Sequence, residues 1–158
     1  MKIAIISDTH DNLANFKKII DWLNREKIQL ILHCGDVCTK ATLEEIKRSF
    51  LRDIKIVLGN ADIDLDVPEI EEIEIDSKRV AFTHYYKIAR KLAESGKYDL
   101  VFHGHTHKPF LEKIGDCRVV NPGTAGGLFY KATFAVYDTE TDKLELKILE
   151  SLNIDKID

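Results

Sequence analysis

The chain has 158 residues, 44% hydrophobic and 32% charged, with a formal net charge of −4. This is the size of a single domain, residues 1–158, with a core that needs no cross-links; it excludes a disordered chain and leaves no room for two domains. No apolar run approaches about 18 residues, residues 1–6 are too short for the core of a signal peptide, and the negative balance does not favour long nucleic acid.

In chain order, residues 2–7 form an apolar run of strand length. Leu13, Phe16, Ile20 and Leu23 then recur at helical spacing, with Asp11 and Asn12 placed to cap the start. Residues 29–32 read as a second buried strand, 42–51 as a second amphipathic helix and 54–58 as a third strand. A βαβαβ opening predicts parallel pairing through right-handed crossovers. Residues 70–76 alternate apolar and acidic side chains, as a half-exposed strand does, and 79–83 follow as another strand. Residues 88–95 read as a helix stopped by Gly96, and 100–103 as a buried strand. The remainder is a run of strands at 110–114, 118–121, 133–138 and 143–149. The pattern predicts an α/β (α+β) fold with two sheets face to face and helices outside. Residues 151–158 carry Leu152, Ile154 and Ile157, a tail that either frays or packs on a partner, as in a homodimer.

The reactive residues share one position in this scheme. Asp8 and His10 follow the first strand, Gly35-Asp36 the second and Gly59-Asn60 the third. His84 follows the strand at 79–83, and Gly104-His105-Thr106-His107 the strand at 100–103. Ligands of open α/β sheets bind beyond the carboxyl ends of strands. One polar residue at a strand end makes a turn. Five successive ends offering two Asp, one Asn and four His are not explained that way. Carboxylate, amide oxygen and imidazole suit Mn²⁺, Fe²⁺, Co²⁺, Ni²⁺ or Zn²⁺. Seven donors are too many for one such ion and suit two if one carboxylate bridges. In an extended segment, His105 and His107 point to the same side with Cβ atoms about 6.6 Å apart, which gives one imidazole to each of two ions roughly 3.5–4 Å apart.

Asp8-Thr9-His10, Gly35-Asp36, Gly59-Asn60-Ala61-Asp62, Thr83-His84 and Gly104-His105-Thr106-His107, in that order, resemble the calcineurin-like metallophosphoesterase superfamily. With Asn121-Pro122-Gly123-Thr124 and the short length, the chain is similar to its small bacterial and archaeal phosphodiesterases over roughly residues 1–149. The resemblance implies a four-layer double β-sandwich flanked by helices, the metallo-dependent phosphatase-like fold. It also implies the ligand set. Asp8, His10 and His107 hold one ion, Asn60, His84 and His105 the other, and Asp36 bridges; spacing alone leaves open which histidine serves which ion. Two divalent ions follow, manganese favoured. A hydroxide bridging them attacks a small phosphate ester in line, and no protein nucleophile is required.

The chain departs from the family pattern at two places. Many members carry His directly after the Asn as a candidate acid for the leaving group. Ala61 stands there, which favours esters with good leaving groups, aryl or nucleotide. The small phosphodiesterases often read His-Gly-His at the fourth motif, and this chain reads His84-Tyr85-Tyr86. Tyr85 and Tyr86 therefore either pack at a helix start or contact substrate. Asp62 fits the position that orients neighbouring groups, and Asn121 is expected to hydrogen-bond a ligand histidine. His33 and His103 read as packed structural imidazoles. Cys34, Cys38 and Cys117 read as inert thiols, too few for a disulfide framework, which fits a cytoplasmic setting. Eight acidic residues within 62–76 read as a solvated face that also disfavours polyanions.

The sequence thus predicts a dinuclear metal-dependent phosphodiesterase of small substrates. The alternatives are a phosphomonoesterase or nucleotidase, for which Lys87, Arg90 and Lys108 are candidate extra cations, and a non-catalytic scaffold of the same fold, which the complete ligand set disfavours. No Gly-x-Ser-x-Gly or His-Glu-x-x-His occurs, which argues against a serine hydrolase or a zincin.

Overall fold

Apolar residues alternate between two faces of the central strands, and that alternation builds the molecule. The computed structural model describes residues 1–152. The chain runs β1 (Lys2–Ile6), α1 (Leu13–Arg25), β2 (Leu30–His33), α2 (Lys40–Ser49), β3 (Asp53–Ile56), β4 (Ile70–Ile75) and β5 (Lys78–Thr83). It continues with α3 (Tyr86–Glu94), β6 (Leu100–Phe102), β7 (Phe110–Ile114), β8 (Cys117–Asn121), β9 (Thr133–Asp138), β10 (Lys143–Ile148) and a 3₁₀ turn at Leu149–Ser151. One sheet has the order β10-β9-β1-β2-β3 and the other β4-β5-β6-β8-β7. β1, β2 and β3 are parallel, as are β5, β6 and β8; the first sheet carries its antiparallel strands, β9 and β10, beyond β1 only, and the second has an antiparallel strand at each edge.

On β1, Ile3 and Ile5 face the interior between the sheets, while Ala4 and Ile6 face α1 and α2. On β5 and β6, Val80, Phe82, Leu100 and Phe102 face the same interior, while Ala81 and Val101 pack with Ala89 and Ala93 of α3. The layers are therefore helices, sheet, sheet, helix. Strands buried on both faces read as continuous apolar runs, which is why β1, β2 and β6 were visible in sequence.

The expected strands and helices are all present, with ends displaced by up to two residues. α2 starts at Lys40 rather than 42 because Thr39 caps it, accepting from the Thr42 amide. β3 ends at Ile56 rather than 58 because the Leu58 amide leaves the ladder for the Pro68 carbonyl, 2.8 Å away. The expected role of Asp11 is corrected. Asn12 caps α1, accepting from the Asn15 amide at 3.0 Å. Asp11 instead accepts from the Thr39 amide and from the hydroxyls of Thr39 and Thr42, and so ties the start of α2 to the loop after β1. Ile154 and Ile157 of the expected tail lie outside the described residues. No helix among the described residues is long and apolar enough to cross a membrane.

Candidate metal centre

The carboxyl ends of β1, β2 and β3 meet those of β5 and β6 at one edge of the sandwich. Asp8, His10 and His107 form one donor group, with ligand atoms all within 4.8 Å of one another, and Asp36, His84 and His105 form a second. Asn60 joins the second group: its Oδ1 lies 2.9 Å from His84 Nε2 and 3.0 Å from His105 Nδ1. Each group takes side chains from both sheets. All seven proposed ligands are thus brought together.

Each carboxylate gives one oxygen to the protein and turns the other towards the donor groups. Asp8 Oδ2 accepts from the Ser7 hydroxyl at 2.6 Å and from the His105 amide at 3.0 Å. Asp8 Oδ1 is buried without a hydrogen-bond partner among the described residues, although His107 Nε2 and His10 Nε2 lie 3.2 and 3.5 Å away. Asp36 Oδ1 accepts from the Ala61 amide at 2.8 Å. Asp36 Oδ2 faces both groups, 3.5 Å from His10 Nε2 and 3.3 Å from His84 Nε2. A buried acceptor left without a donor is costly, whereas a cation satisfies it.

The histidine tautomers point the same way. A carbonyl can only accept, so His84 Nδ1 donates to the Cys34 carbonyl at 2.7 Å and His107 Nδ1 donates to the Leu128 carbonyl at 3.1 Å. The outer nitrogen is thereby committed to a carbonyl and Nε2 is the atom that faces the donor group, the orientation of ligating histidines. His10 places Nδ1 3.5 Å from Cys38 Sγ and Nε2 inward. This oxygen and nitrogen donor set, with one orphaned carboxylate oxygen, fits divalent metal ions.

The local backbone is strained to achieve this. Asp8, His10, Asp36, His105 and His107 all have left-handed φ, between 47° and 71°. Non-glycine residues adopt this region at a cost and cluster there at functional sites. The expected extended course of His105 to His107 is corrected: the segment is a tight turn, with the Thr106 amide donating to the Gly104 carbonyl at 2.9 Å. The turn, rather than strand alternation, sends one imidazole to each group. Gly104 is required there, because a Cβ would stand 1.9 Å from Ser7 Oγ and 2.6 Å from Asp8 Oδ2.

Asp62 touches backbone rather than ligand side chains. It accepts from the amides of Asp36 at 3.0 Å, Gly59 at 2.7 Å and Cys38 at 2.8 Å, and so locks the loops after β2 and β3 together. Tyr85 lies against the centre, its ring 5.0 Å from that of His84 and 5.1 Å from that of His105. Tyr86 does not. Its hydroxyl donates to Glu112 at 2.6 Å and its ring packs on His103 and Phe110. The expectation for Asn121 is also corrected. Its amide donates to the Gly104 carbonyl and the Thr106 hydroxyl, both at 3.0 Å, so it braces the ligand turn rather than a ligand imidazole. Sequence reasoning missed the Cys34 and Leu128 carbonyls and the Ser7 hydroxyl. Only Ser7, a hydroxyl beside Asp8 at a strand end, left a signal in the sequence.

Charge tunes the centre. The Asp8 carboxylate, with Asp36 assisting against burial, raises the pKa of His10 above 6.5. Burial opposes the charge on His84, but Asp36 and Asp8 outweigh it and its pKa also stands above 6.5. Burial works against the Asp36 carboxylate, yet His84 and the Ala61 amide hold its pKa below the ordinary value. Outside the donor groups, His33 and His103 are fully buried. His33 Nε2 pairs with the Thr9 hydroxyl at 2.8 Å and Nδ1 accepts from the Gly35 amide at 3.2 Å.

Burial pushes the His33 pKa down to about 4. Between pH 6.5 and 4 the unfolded chain therefore takes up a proton that the folded chain refuses. Stability falls as the pH falls through that window, by about 3 kcal/mol from this group. His10 and His84 act in the opposite sense: their contribution is present below pH 6.5 and lost as the pH rises through their raised values. Urea unfolding of metal-free protein at pH 7 and pH 4 isolates His33 by comparison with His33→Gln. The wild type is expected to lose about 3 kcal/mol more than the variant on acidification. Equal losses would remove His33 from the account.

Comparison with known proteins bears on what this arrangement is. The calcineurin-like phosphoesterase superfamily domain matches residues 1–142. Phosphodiesterase MJ0936 of Methanocaldococcus jannaschii is 32% identical over 95% of this chain and 100% of its own length. A solved archaeal phosphodiesterase superposes with a TM-score of 0.86 at 30% identity, covering 94% of this chain and 99% of that one. Vps29 of Chaetomium thermophilum superposes with a TM-score of 0.76 at 22% identity, covering 94% and 95% of the two chains, a likeness of fold alone. The domain match and the shared fold converge on one assignment: this chain belongs to the calcineurin-like phosphoesterase superfamily.

Proposed function

We propose that this chain, as a single domain, is a dinuclear metal-dependent phosphodiesterase of small esters. The observation that carries the reading is Asp36 Oδ2, which stands 3.5 Å from His10 Nε2 of one donor group and 3.3 Å from His84 Nε2 of the other. One carboxylate oxygen is thereby available to two ions. Asp8, His10 and His107 would hold the first, Asn60, His84 and His105 the second. Imidazole, amide oxygen and carboxylate accommodate Mn²⁺, Ni²⁺, Fe²⁺, Co²⁺ or Zn²⁺, with manganese favoured by the oxygen donors. Ions held there supply positive charge to a transferring phosphoryl group and lower the pKa of water towards neutrality.

The chain's own residues do the rest. The outer carbonyls of Cys34 and Leu128 fix the imidazole tautomers, and Asp62 fixes the backbone that presents Asp36. Ala61 offers only its amide, which holds Asp36 Oδ1, so ester cleavage relies on the stability of the departing group. Arg90 is paired with Glu94 at 2.8 Å on the exposed face of α3, which removes one candidate cation for the dianion of a monoester and favours the diester. The free thiols Cys34, Cys38 and Cys117 agree with a reducing, cytoplasmic setting.

Hydrolysis of bis(p-nitrophenyl) phosphate tests the reading. Chelator-stripped protein is expected to show no turnover, and Mn²⁺ or Ni²⁺ to restore it with two ions bound per chain. Silence with all five metals would overturn the enzyme, and restoration at one ion per chain would overturn the dinuclear centre.

A further inference from the structure

The ligand histidines differ in what stands behind them. His84 and His107 rest the outer nitrogen on a backbone carbonyl, that of Cys34 or Leu128. His10 rests it on a side chain. Its Nδ1 lies 3.5 Å from Cys38 Sγ, and that sulfur is its one hydrogen-bond partner among the described residues. The hydrogen bond at the outer nitrogen of a ligating imidazole decides which nitrogen faces the ion and how the ring is turned. The ion position that His10 serves is marked independently by Asp8 Oδ1, buried without a partner among the described residues and 3.5 Å from His10 Nε2.

Cys38 is fixed in place for this contact. Its amide donates to Asp62 Oδ1 at 2.8 Å, and its carbonyl accepts from the Ile63 amide at 2.9 Å. Its φ is 86°, the largest positive value of any non-glycine residue described. Glycine adopts such a backbone freely, whereas a residue with a Cβ does so at a cost. A side chain is thus kept where its loss would relax the chain. The thiol lies on the Nδ1 side of the ring, outside the donor group of Asp8, His10 and His107, so it stands behind a ligand rather than acting as one.

A thiol also does what a carbonyl cannot. A carbonyl only accepts, whereas a thiol is both a weak donor and a weak acceptor. His10 Nε2 faces Asp8 Oδ1 and Asp36 Oδ2, each 3.5 Å away. A neutral ring with its proton on Nε2, towards those carboxylates, leaves Nδ1 as an acceptor for the S–H. A ring whose Nε2 lone pair is engaged by a cation carries its proton on Nδ1 and donates it to the sulfur.

We propose that Cys38 is a positioning residue of the metal centre: its thiol holds the outer nitrogen of His10 and keeps a partner for it in both states of the ring. The proposal rests on the dinuclear reading above and assigns this chain's own support for one of the two ions.

Calorimetric titration of chelator-stripped protein with Mn²⁺ tests it without reference to turnover. Cys38→Gly is expected to weaken one of the two ions by at least about ten-fold, the usual effect of removing a partner behind a ligand, and to leave the other unchanged. Urea unfolding of the same variant without metal is expected to show no loss of stability, because glycine relieves the strained φ. Cys38→Ser, which keeps a donor and an acceptor in place, is expected to bind more like the wild type than like Cys38→Gly. In Zn²⁺-loaded protein carrying nitrogen-15 histidine, the His10 Nδ1–H is expected to exchange with water faster in Cys38→Gly. Two ions bound equally tightly by wild type and Cys38→Gly, or an unchanged exchange rate, would overturn this inference and leave the dinuclear centre standing. A metal-free Cys38→Gly less stable than the wild type would make the sulfur a packing group, and a serine no better than glycine would remove the hydrogen bond; either overturns the positioning role. Wild-type protein that binds no ion would overturn the centre, and this inference with it.

Discussion

Asp36→Asn is expected to abolish turnover of bis(p-nitrophenyl) phosphate, by at least about 10³ in kcat, or about 4 kcal/mol of transition-state stabilisation. The substitution is almost isosteric, so the fold has little reason to change. The amide oxygen can still accept from the Ala61 amide, as Asp36 Oδ1 does at 2.8 Å. What disappears is the negative charge at Oδ2, the atom that faces both His10 and His84. A neutral amide cannot hold two divalent ions on one oxygen. Metal analysis after reconstitution is therefore expected to find at most one ion per chain, with circular dichroism unchanged. A variant that keeps full rate and two ions would remove Asp36 from the bridging position.

Gly59→Ala is expected to be the most damaging single-methyl change in the chain, and for a reason that does not involve metal. A Cβ at position 59 would stand 2.1 Å from Asp36 Oδ1 and 2.4 Å from the Asp36 amide nitrogen. The side chain could swing, but the backbone nitrogen cannot. It is held by Asp62, which also accepts from Gly59 itself. Relief requires the loops after β2 and β3 to separate, at about 3 kcal/mol of stability by the usual cost of overpacking. Gly96→Ala is the control. That residue has positive φ, 71°, but nothing lies within 4 Å of its Cβ, so it should lose only the left-handed cap preference, about 1 kcal/mol. Urea unfolding of both metal-free variants measures the two costs. A Gly59→Ala loss no larger than that of Gly96→Ala would show that the close approach is not maintained in solution.

The parts of this molecule that were legible in sequence are those written in local periodicity. β1 and β6 are buried on both faces and appear as unbroken apolar runs, and α1 shows its inner stripe at Phe16, Ile20 and Leu23. The donor residues were legible because they cluster at strand ends, the position that topology turns into a site. What was hidden depends on partners distant in the chain. Asp11 looked like a cap for the helix beside it, yet its hydrogen bonds go to Thr39 and Thr42, brought near by the pairing of β1 with β2. Asn121 was placed near the site correctly, but its partner is a turn backbone that no residue type announces. The carbonyls of Cys34 and Leu128 are invisible for the same reason, since every residue carries one. Tyr85 and Tyr86 are adjacent and chemically identical; the helix that starts at Tyr86 sends one ring to the metal centre and the other to His103.

One architectural consequence follows from the origin of the donors. In each group some side chains follow strands of the first sheet and others follow strands of the second: Asp8 and His10 against His107, and Asp36 and Asn60 against His84 and His105. The two sheets otherwise meet through apolar side chains, which resist separation but are tolerant of small sliding. An ion held by donors from both layers would act as a rivet through the open edge of the sandwich. Such coordination would supply the kind of cross-layer fastening that a secreted sandwich obtains from a disulfide, in a chain whose three cysteines are free thiols. Metal loading and the alignment of the two sheets are then the same equilibrium viewed from two ends: whatever shifts one sheet against the other also loosens the ions.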